Sequence, residues 1–292
     1  MAAVAAVGVP ATFAAAVRAA ATSKGTLNDP YAEALVRAAG IEYFTRLIED
    51  EVFAADDGVA TPGLAAALAA HTRFVDGYLA DAGRAGIRQV VLLAPGLDTR
   101  AFRLWWPPGT TVYEVDRPEV LDFKSVVLQG LQAQLTAHRR GIGIDLNADW
   151  PEALRRVGFD AALPTVWVAE QLFVGYLTPE VQDRVLTHLT AASAPGSRLA
   201  ADHLPVWSPL QLEAERDFVD GWRRRGLDVD LASLTHPGEY RYVPDYLTDR
   251  GWATVKRRVD EVCAAVGAAT PRRDRAGHPA LIPEYVTAEV TA

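Results

Sequence analysis

The 292-residue chain carries one cysteine, Cys263, and one methionine, Met1. A lone thiol excludes an internal disulfide and a zinc site made of thiolates, and it suits a reducing compartment, so a cytoplasmic protein is expected. Basic runs are equally scarce. Apart from Arg223-Arg224-Arg225 and Arg272-Arg273 nothing clusters, and 37 acids against 29 bases leave a formal charge of -8. Phosphate backbones are repelled on average, which argues against nucleic acid as a partner. There is no uninterrupted, strongly apolar run of about 18 residues, so no membrane span is expected. The apolar stretch from Ala2 to Ala21 lacks a basic segment before it and contains Arg18, and it reads as a helix that docks on the protein rather than a signal peptide. Also missing are His-x-x-x-His, Gly-x-Ser-x-Gly and Gly-x-Gly-x-x-Gly, the spacings of a zinc site, a nucleophile elbow and a dinucleotide turn.

What is present is a large supply of core. Half of the residues are hydrophobic, 23% are charged and the mean hydropathy is near zero, enough for one large α/β domain or a domain with a cap. The first 85 residues are helical in character. Ala-rich stretches at 11–22, 32–39 and 64–82 are separated by Gly25, Asn28-Asp29-Pro30, Asp56-Asp57-Gly58 and Pro62-Gly63. Asn28 or Asp29 as N-cap with Pro30 at the first helical position predicts a helix start.

From residue 86 the pattern changes to short apolar runs at 90–94, 111–115, 141–144, 165–169 and 198–201, read as strands buried on both faces. Helical segments at 99–105, 118–137, 150–157 and 179–193 alternate with them. That rhythm predicts a Rossmann-like, doubly wound, mostly parallel sheet over 86–204. Residues 205–250 interrupt it with prolines, an amphipathic segment at 208–225 and Tyr240, Tyr242 and Tyr246, and are read as an inserted helical cap. Strand character at 252–256 and 281–287 then completes a seven-stranded sheet within 251–292.

The sharpest local feature is the strand Val90 to Leu93 running through Ala94-Pro95-Gly96 into Leu97-Asp98-Thr99-Arg100. Ligands of doubly wound sheets bind beyond the carboxyl ends of the strands, and Gly96 lets backbone and ligand approach closely. About 20 residues on, the second strand ends in Asp116, where a carboxylate can accept from both hydroxyls of a ribose. Without the dinucleotide fingerprint or a Tyr-x-x-x-Lys pair, a nicotinamide cofactor is disfavoured against S-adenosylmethionine. Asp145 and Leu146, after the third strand, would take the adenine, unless the aspartate N-caps the helix at Trp150. Glu170 puts another carboxylate at the same edge.

These residues together resemble the leucine carboxyl methyltransferase-like family, especially its actinobacterial branch, over nearly the whole chain. The resemblance is carried by Asn28-Asp29-Pro30-Tyr31-Ala32, Arg73, Leu93 through Arg103, Tyr113 through Pro118, Asp145-Leu146 with Trp150-Pro151, Ala169-Glu170 and Tyr176-Leu177. It implies that Arg73 and Arg18 meet the methionyl carboxylate near Ala94 and Gly96, Asp116 the ribose, Asp145 and Leu146 the adenine, and that Glu170 lies beside the methionyl group. For Arg73 a surface ion pair with Asp76 or Asp81 is the alternative. The sequence departs from the family at Pro95 and at 171–177, where a glutamine and one extra residue enter.

The resemblance implies S-adenosylmethionine as cofactor and methyl transfer to an oxygen, most naturally a carboxylate of a small molecule or peptide, which is ionised at neutral pH and needs no base. A phenol or alcohol acceptor would want one, and His203 is the histidine at the active edge, with Tyr176 as a further substrate contact. A homologue that binds the cofactor without turnover is the third possibility.

Overall fold

A computed structural model describes residues 8–49, 61–204, 216, 220–224, 226, 227, 235, 236, 238–268 and 283–291. The chain first forms helices α1 (Val9–Ser23), α2 (Ala32–Ala39), α3 (Glu42–Glu49) and α4 (Thr61–Arg84). Strand and helix then alternate: β1 (Gln89–Leu93), α5 (Arg100–Arg103), β2 (Thr111–Asp116), α6 (Pro118–Gly130), β3 (His138–Gly143), α7 (Trp150–Arg156), β4 (Thr165–Phe173), α8 (Pro179–Ala191) and β5 (Arg198–His203). α9 (Val243–Thr248) falls within the expected cap, and β6 (Trp252–Arg257), α10 (Val259–Ala265) and β7 (Glu284–Val290) follow it. Most of 205–234 lies outside the described residues, as do the turn at 56–58 and Leu281.

All seven strands join one sheet in the order β3-β2-β1-β4-β5-β7-β6, with β7 antiparallel to both neighbours and the other pairs parallel. The chain steps outward from β1 to β3, then returns to β4 on the other side of β1, which opens a crevice at the carboxyl ends of β1 and β4. Strand periodicity of two divides the core. Val90, Leu92, Val112, Val166 and Val168 pack with Phe13, Leu35, Phe44 and Leu79 of the N-terminal helices. Val91, Leu93, Val115, Trp167 and Ala169 pack with Trp150, Leu154, Val185 and Leu189 on the opposite face.

Four local expectations are corrected. The α2 N-cap is Tyr31, with no side-chain cap, because the carboxylate of Asp29 is drawn inward to Arg18 and Thr99. Pro62 falls inside the first turn of α4, where its missing donor costs nothing. The helix predicted over 118–137 stops at Gly130, followed by Gln132 at φ 53, and β3 starts at His138. That strand is not buried on both faces: only Ile142 is buried, since β3 is an edge, and its polar start His138-Arg139-Arg140 gave no apolar signal. α3 had no counterpart among the expected helices.

Among the described residues no helix is long and apolar enough to cross a membrane.

Candidate cofactor and active site

At the carboxyl end of β1 the chain turns sharply, with Ala94 at φ 47 and Gly96 at φ 54, both left-handed. The Ala94 amide donates to the Val115 carbonyl at 2.8 Å, extending the β1–β2 pairing into the turn. The Gly96 amide donates to Asp116 Oδ2 at 2.7 Å, and the Arg117 amide donates to Oδ1 at 2.8 Å. Each oxygen of Asp116 therefore spends one lone pair on backbone and keeps another for a ligand, the arrangement a pair of vicinal hydroxyls requires. Burial pushes the Asp116 carboxyl up from its ordinary value, with the two amides opposing. Position 96 must be glycine twice over, because a Cβ there would lie 2.8 Å from Ala11 Cβ on α1.

That contact shows how the N-terminal helix closes the site. Gly8, Pro10, Ala11, Ala14 and Arg18 share the wall of a cavity of about 390 Å³ with the β1 turn. Arg18 is held by Asp29 at 2.8 Å and donates to the Leu97 carbonyl at 2.6 Å. Beneath it lies a buried charge network around Arg100, whose side chain is 1% exposed. Arg100 bonds Asp76 at 2.7 Å, Asp98 at 2.7 Å and Glu170. Burial disfavours the charge on Asp98, but Arg100, with Arg18, Arg103 and Lys124, outweighs it and holds the carboxyl at about 2. Behind Glu170, His71 Nδ1 lies 3.4 Å from its Oε1. Burial lowers His71 to about 4 against the pull of Glu170, so it is neutral at pH 7.

The far wall comes from β3 and β4. Asp145 is exposed, lines the cavity and accepts from the Asn147 amide at 2.7 Å, while Leu146 beside it is buried. The N-cap of α7 is Asp149, which accepts from Glu152, so Asp145 does not have that role. Between Ala169 and Phe173, four steps along β4 oppose two along β5. This bulge carries Glu170 and Gln171, which line the cavity with Leu172, Tyr176 and Leu177.

The structure thus brings Arg18, Ala94, Gly96, Asp116, Asp145, Leu146, Glu170 and Tyr176 onto one wall. It leaves two expected residues off it. Arg73 is half-buried on α4 and its neighbour Thr72 lines the cavity instead, since successive helix positions diverge by about 100°. Asp76 and Asp81, its alternative partners, are paired with Arg100, Arg103 and Arg84. His203, 1% exposed, does not line the cavity. Its ring packs 5.1 Å from Tyr242, neither nitrogen has a hydrogen bond, and burial, then Lys256, lowers it to about 4. Arg100 and Asp98 belong to the turn sequence Leu97-Asp98-Thr99-Arg100, which by itself points to no role for either. A buried arginine needs carboxylates around it, yet Asp76 and Glu170 come from distant segments and only Asp98 is visible locally.

Four carboxylates, Asp98, Asp116, Asp145 and Glu170, face three guanidiniums, Arg18, Arg100 and Arg117, around the cavity. The fold and the wall together define a protein with an acid-rich cavity at the switch point of a seven-stranded sheet, of a kind that suits a nucleoside-bearing, partly cationic ligand.

Comparison with known proteins narrows this class. The leucine carboxyl methyltransferase family model matches residues 10–190. A protein of Mycobacterium avium (strain 104), named "Putative S-adenosyl-L-methionine-dependent methyltransferase", is 66% identical over 293 residues, covering 99% of each chain. One of the same name from Mycobacterium marinum is 45% identical, over 97% of this chain and 94% of its own. A crystal structure of a "putative methyltransferase" from Thermobifida fusca shares the fold, with TM-score 0.54 and 19% identity over 98% of this chain and 96% of its own. The chain belongs to the leucine carboxyl methyltransferase family of S-adenosyl-L-methionine-dependent methyltransferases.

Proposed function

We propose that the protein transfers the methyl group of S-adenosylmethionine to a carboxylate oxygen of a small molecule or peptide, giving a methyl ester. The observation that carries this reading is the make-up of the wall: among the described residues it holds no histidine or lysine, and its carboxylates are tied to guanidiniums or backbone amides. Such a wall suits an acceptor that is already ionised and asks only to be oriented and kept from water.

The residues present fit the cofactor. Asp116 holds the ribose, Asp145 and Leu146 the adenine, Arg18 the methionyl carboxylate beside the Ala94 to Gly96 turn, and Glu170 the methionyl amine. When bound, the cofactor would supply a methyl group on a sulfonium for in-line displacement by an oxygen nucleophile, the S–CH3 bond breaking to leave the neutral thioether S-adenosylhomocysteine. Glu170, Asp98 and Asp116 would give that cationic group a compensating field, and Ala11 and Ala14 of α1 wall the same cavity. Tyr176 lines the acceptor end. Methylation of a phenol or alcohol through His203 is the weaker reading, since a buried histidine off the wall and neutral down to about pH 4 is a poor base. We place the reaction in the cytoplasm, with neither nucleic acid nor a membrane as partner.

The test is incubation with methyl-labelled S-adenosylmethionine and a panel of carboxylic acids. Label released as methanol by mild base is expected. A base-stable product would redirect the reading to a hydroxyl acceptor, and cofactor binding without transfer to acids, phenols or alcohols would define a silent homologue.

A further inference from the structure

Gln171 stands at φ 53, a left-handed conformation that is strained for a residue with a Cβ. The conformation is held in place: the Gln171 amide donates to Asp202 Oδ1 at 2.5 Å, across the β4–β5 bulge. Asp202 is fully buried, and its Oδ2 has no hydrogen bond. Burial raises its carboxyl to about 8, with the Gln171 amide opposing and the Glu170 charge adding, so at neutral pH Asp202 is an acid that holds the turn without placing a second anion behind Glu170. Strain maintained by a buried group at the rim of a cavity marks a side chain whose aim matters.

The guanidiniums of the wall are each paired within the protein. Arg18 is paired with Asp29, Arg100 with three carboxylates and Arg117 with Glu119. The Gln171 carboxamide and the Thr72 hydroxyl have no hydrogen bond among the described residues. Thr72 lies on α4 beside Arg100. Gln171 follows Glu170 on the β4–β5 bulge and lines the same cavity as Leu172, Tyr176 and Leu177. A carboxamide there offers two N–H donors with no charge and no titration.

On the methyl-transfer reading above, we propose that Gln171 is the residue that orients the acceptor, donating its side-chain N–H to the acceptor's carboxylate, and that Asp202 is the positioning residue that holds it. The acceptor's second oxygen, the one not methylated, is the natural partner. A neutral donor keeps that carboxylate nucleophilic, whereas a paired guanidinium would withdraw its charge.

The test titrates benzoate and a hexapeptide with a free leucine carboxylate into full-length protein saturated with S-adenosylhomocysteine, read by calorimetry. Wild type is expected to bind at least one probe. Gln171→Gly removes the carboxamide and relieves the backbone, so its thermal midpoint is at or above wild type, its S-adenosylhomocysteine affinity stays within two-fold, and probe affinity drops at least five-fold. Gln171→Glu abolishes probe binding by repulsion. Asp202→Asn, which keeps a carbonyl for the Gln171 amide, retains probe affinity, and Asp202→Ala loses it. Equal probe binding by wild type and Gln171→Gly, or binding of neither probe by wild type, overturns the proposal. Failure of S-adenosylhomocysteine itself to bind wild type would instead sink the methyl-transfer reading.

Discussion

Replacing Arg100 by methionine tests whether the network beneath the cavity holds the fold as well as the site. The side chain is 1% exposed and is shared by Asp76, Asp98 and Glu170, with the Thr72 carbonyl 3.4 Å away. Methionine fills much of the same volume, so the loss is chiefly electrostatic: three acids keep their burial and lose their common cation. Removing one partner of a buried ion pair costs about 3–5 kcal/mol, against a total stability on the order of 5–15 kcal/mol. Urea unfolding at pH 7 is therefore expected to show a midpoint lower by about 1–2 M. The pH dependence is diagnostic. In the wild type Asp98 sits at about 2, below its ordinary 3.8, so its contribution is complete above pH 3.8 and is lost only as the pH falls toward 2. In the variant Asp76 keeps Arg103 but both it and Asp98 lose the cation that chiefly offsets their burial, so the penalty is largest at pH 7 and is relieved on acidification. The gap between variant and wild type should narrow from pH 7 to pH 5, and adding Glu170→Gln should recover at least about 1 kcal/mol of it. A loss below about 1 kcal/mol, or a gap that is constant with pH, would refute the reasoning.

Four further outcomes are expected. Asp116→Ala weakens S-adenosylhomocysteine binding by about 1–3 kcal/mol, because charge-assisted bonds to buried hydroxyls are lost; unchanged calorimetric affinity would remove Asp116 from the site. Gly96→Ala places a Cβ 2.8 Å from Ala11 Cβ at φ 54, so α1 must move or the turn must open; both the thermal midpoint and cofactor affinity should fall, and a variant equal to wild type in both would contradict the close approach. Arg18→Ala should lower S-adenosylhomocysteine affinity at least ten-fold, whereas Arg73→Ala should stay within two-fold, and the reverse order would return the carboxylate contact to Arg73. His71 and His203 are buried with values near 4, below the ordinary 6.5, so each contributes stability that is complete above pH 6.5 and is lost as the pH falls toward 4, up to about 3 kcal/mol apiece; the urea midpoint should drop over that window, and less steeply in His203→Phe.

The sequence by itself determined the architecture and the sheet edge at which the cavity opens. Short apolar runs of the length of a buried strand, alternating with helical segments, leave few solutions other than a doubly wound sheet, and β1, β2, β4 and β5 lie close to where their runs predict them. Gly96 and Asp116 were legible because backbone permissiveness and an acid at a strand end are local properties, fixed within a few residues of each other. The charges that do not lie close in sequence were another matter. Asp29 looks like a helix cap and serves as a buried partner for Arg18 and Thr99, and Glu114 reads as part of a strand core and is bonded to Lys124 and Arg139.

Tertiary structure decided which cations reach the cavity, since a shift of one position on α4 separates Thr72 on the wall from Arg73 off it. It also decided the fate of β4's end. Gln171 and Asp202 are 31 residues apart, and only the bulge between β4 and β5 sets one to hold the other. Periodicity announces elements because it repeats within each one, whereas the pairing of buried charges depends on where separate elements cross, and that information is distributed over the whole chain.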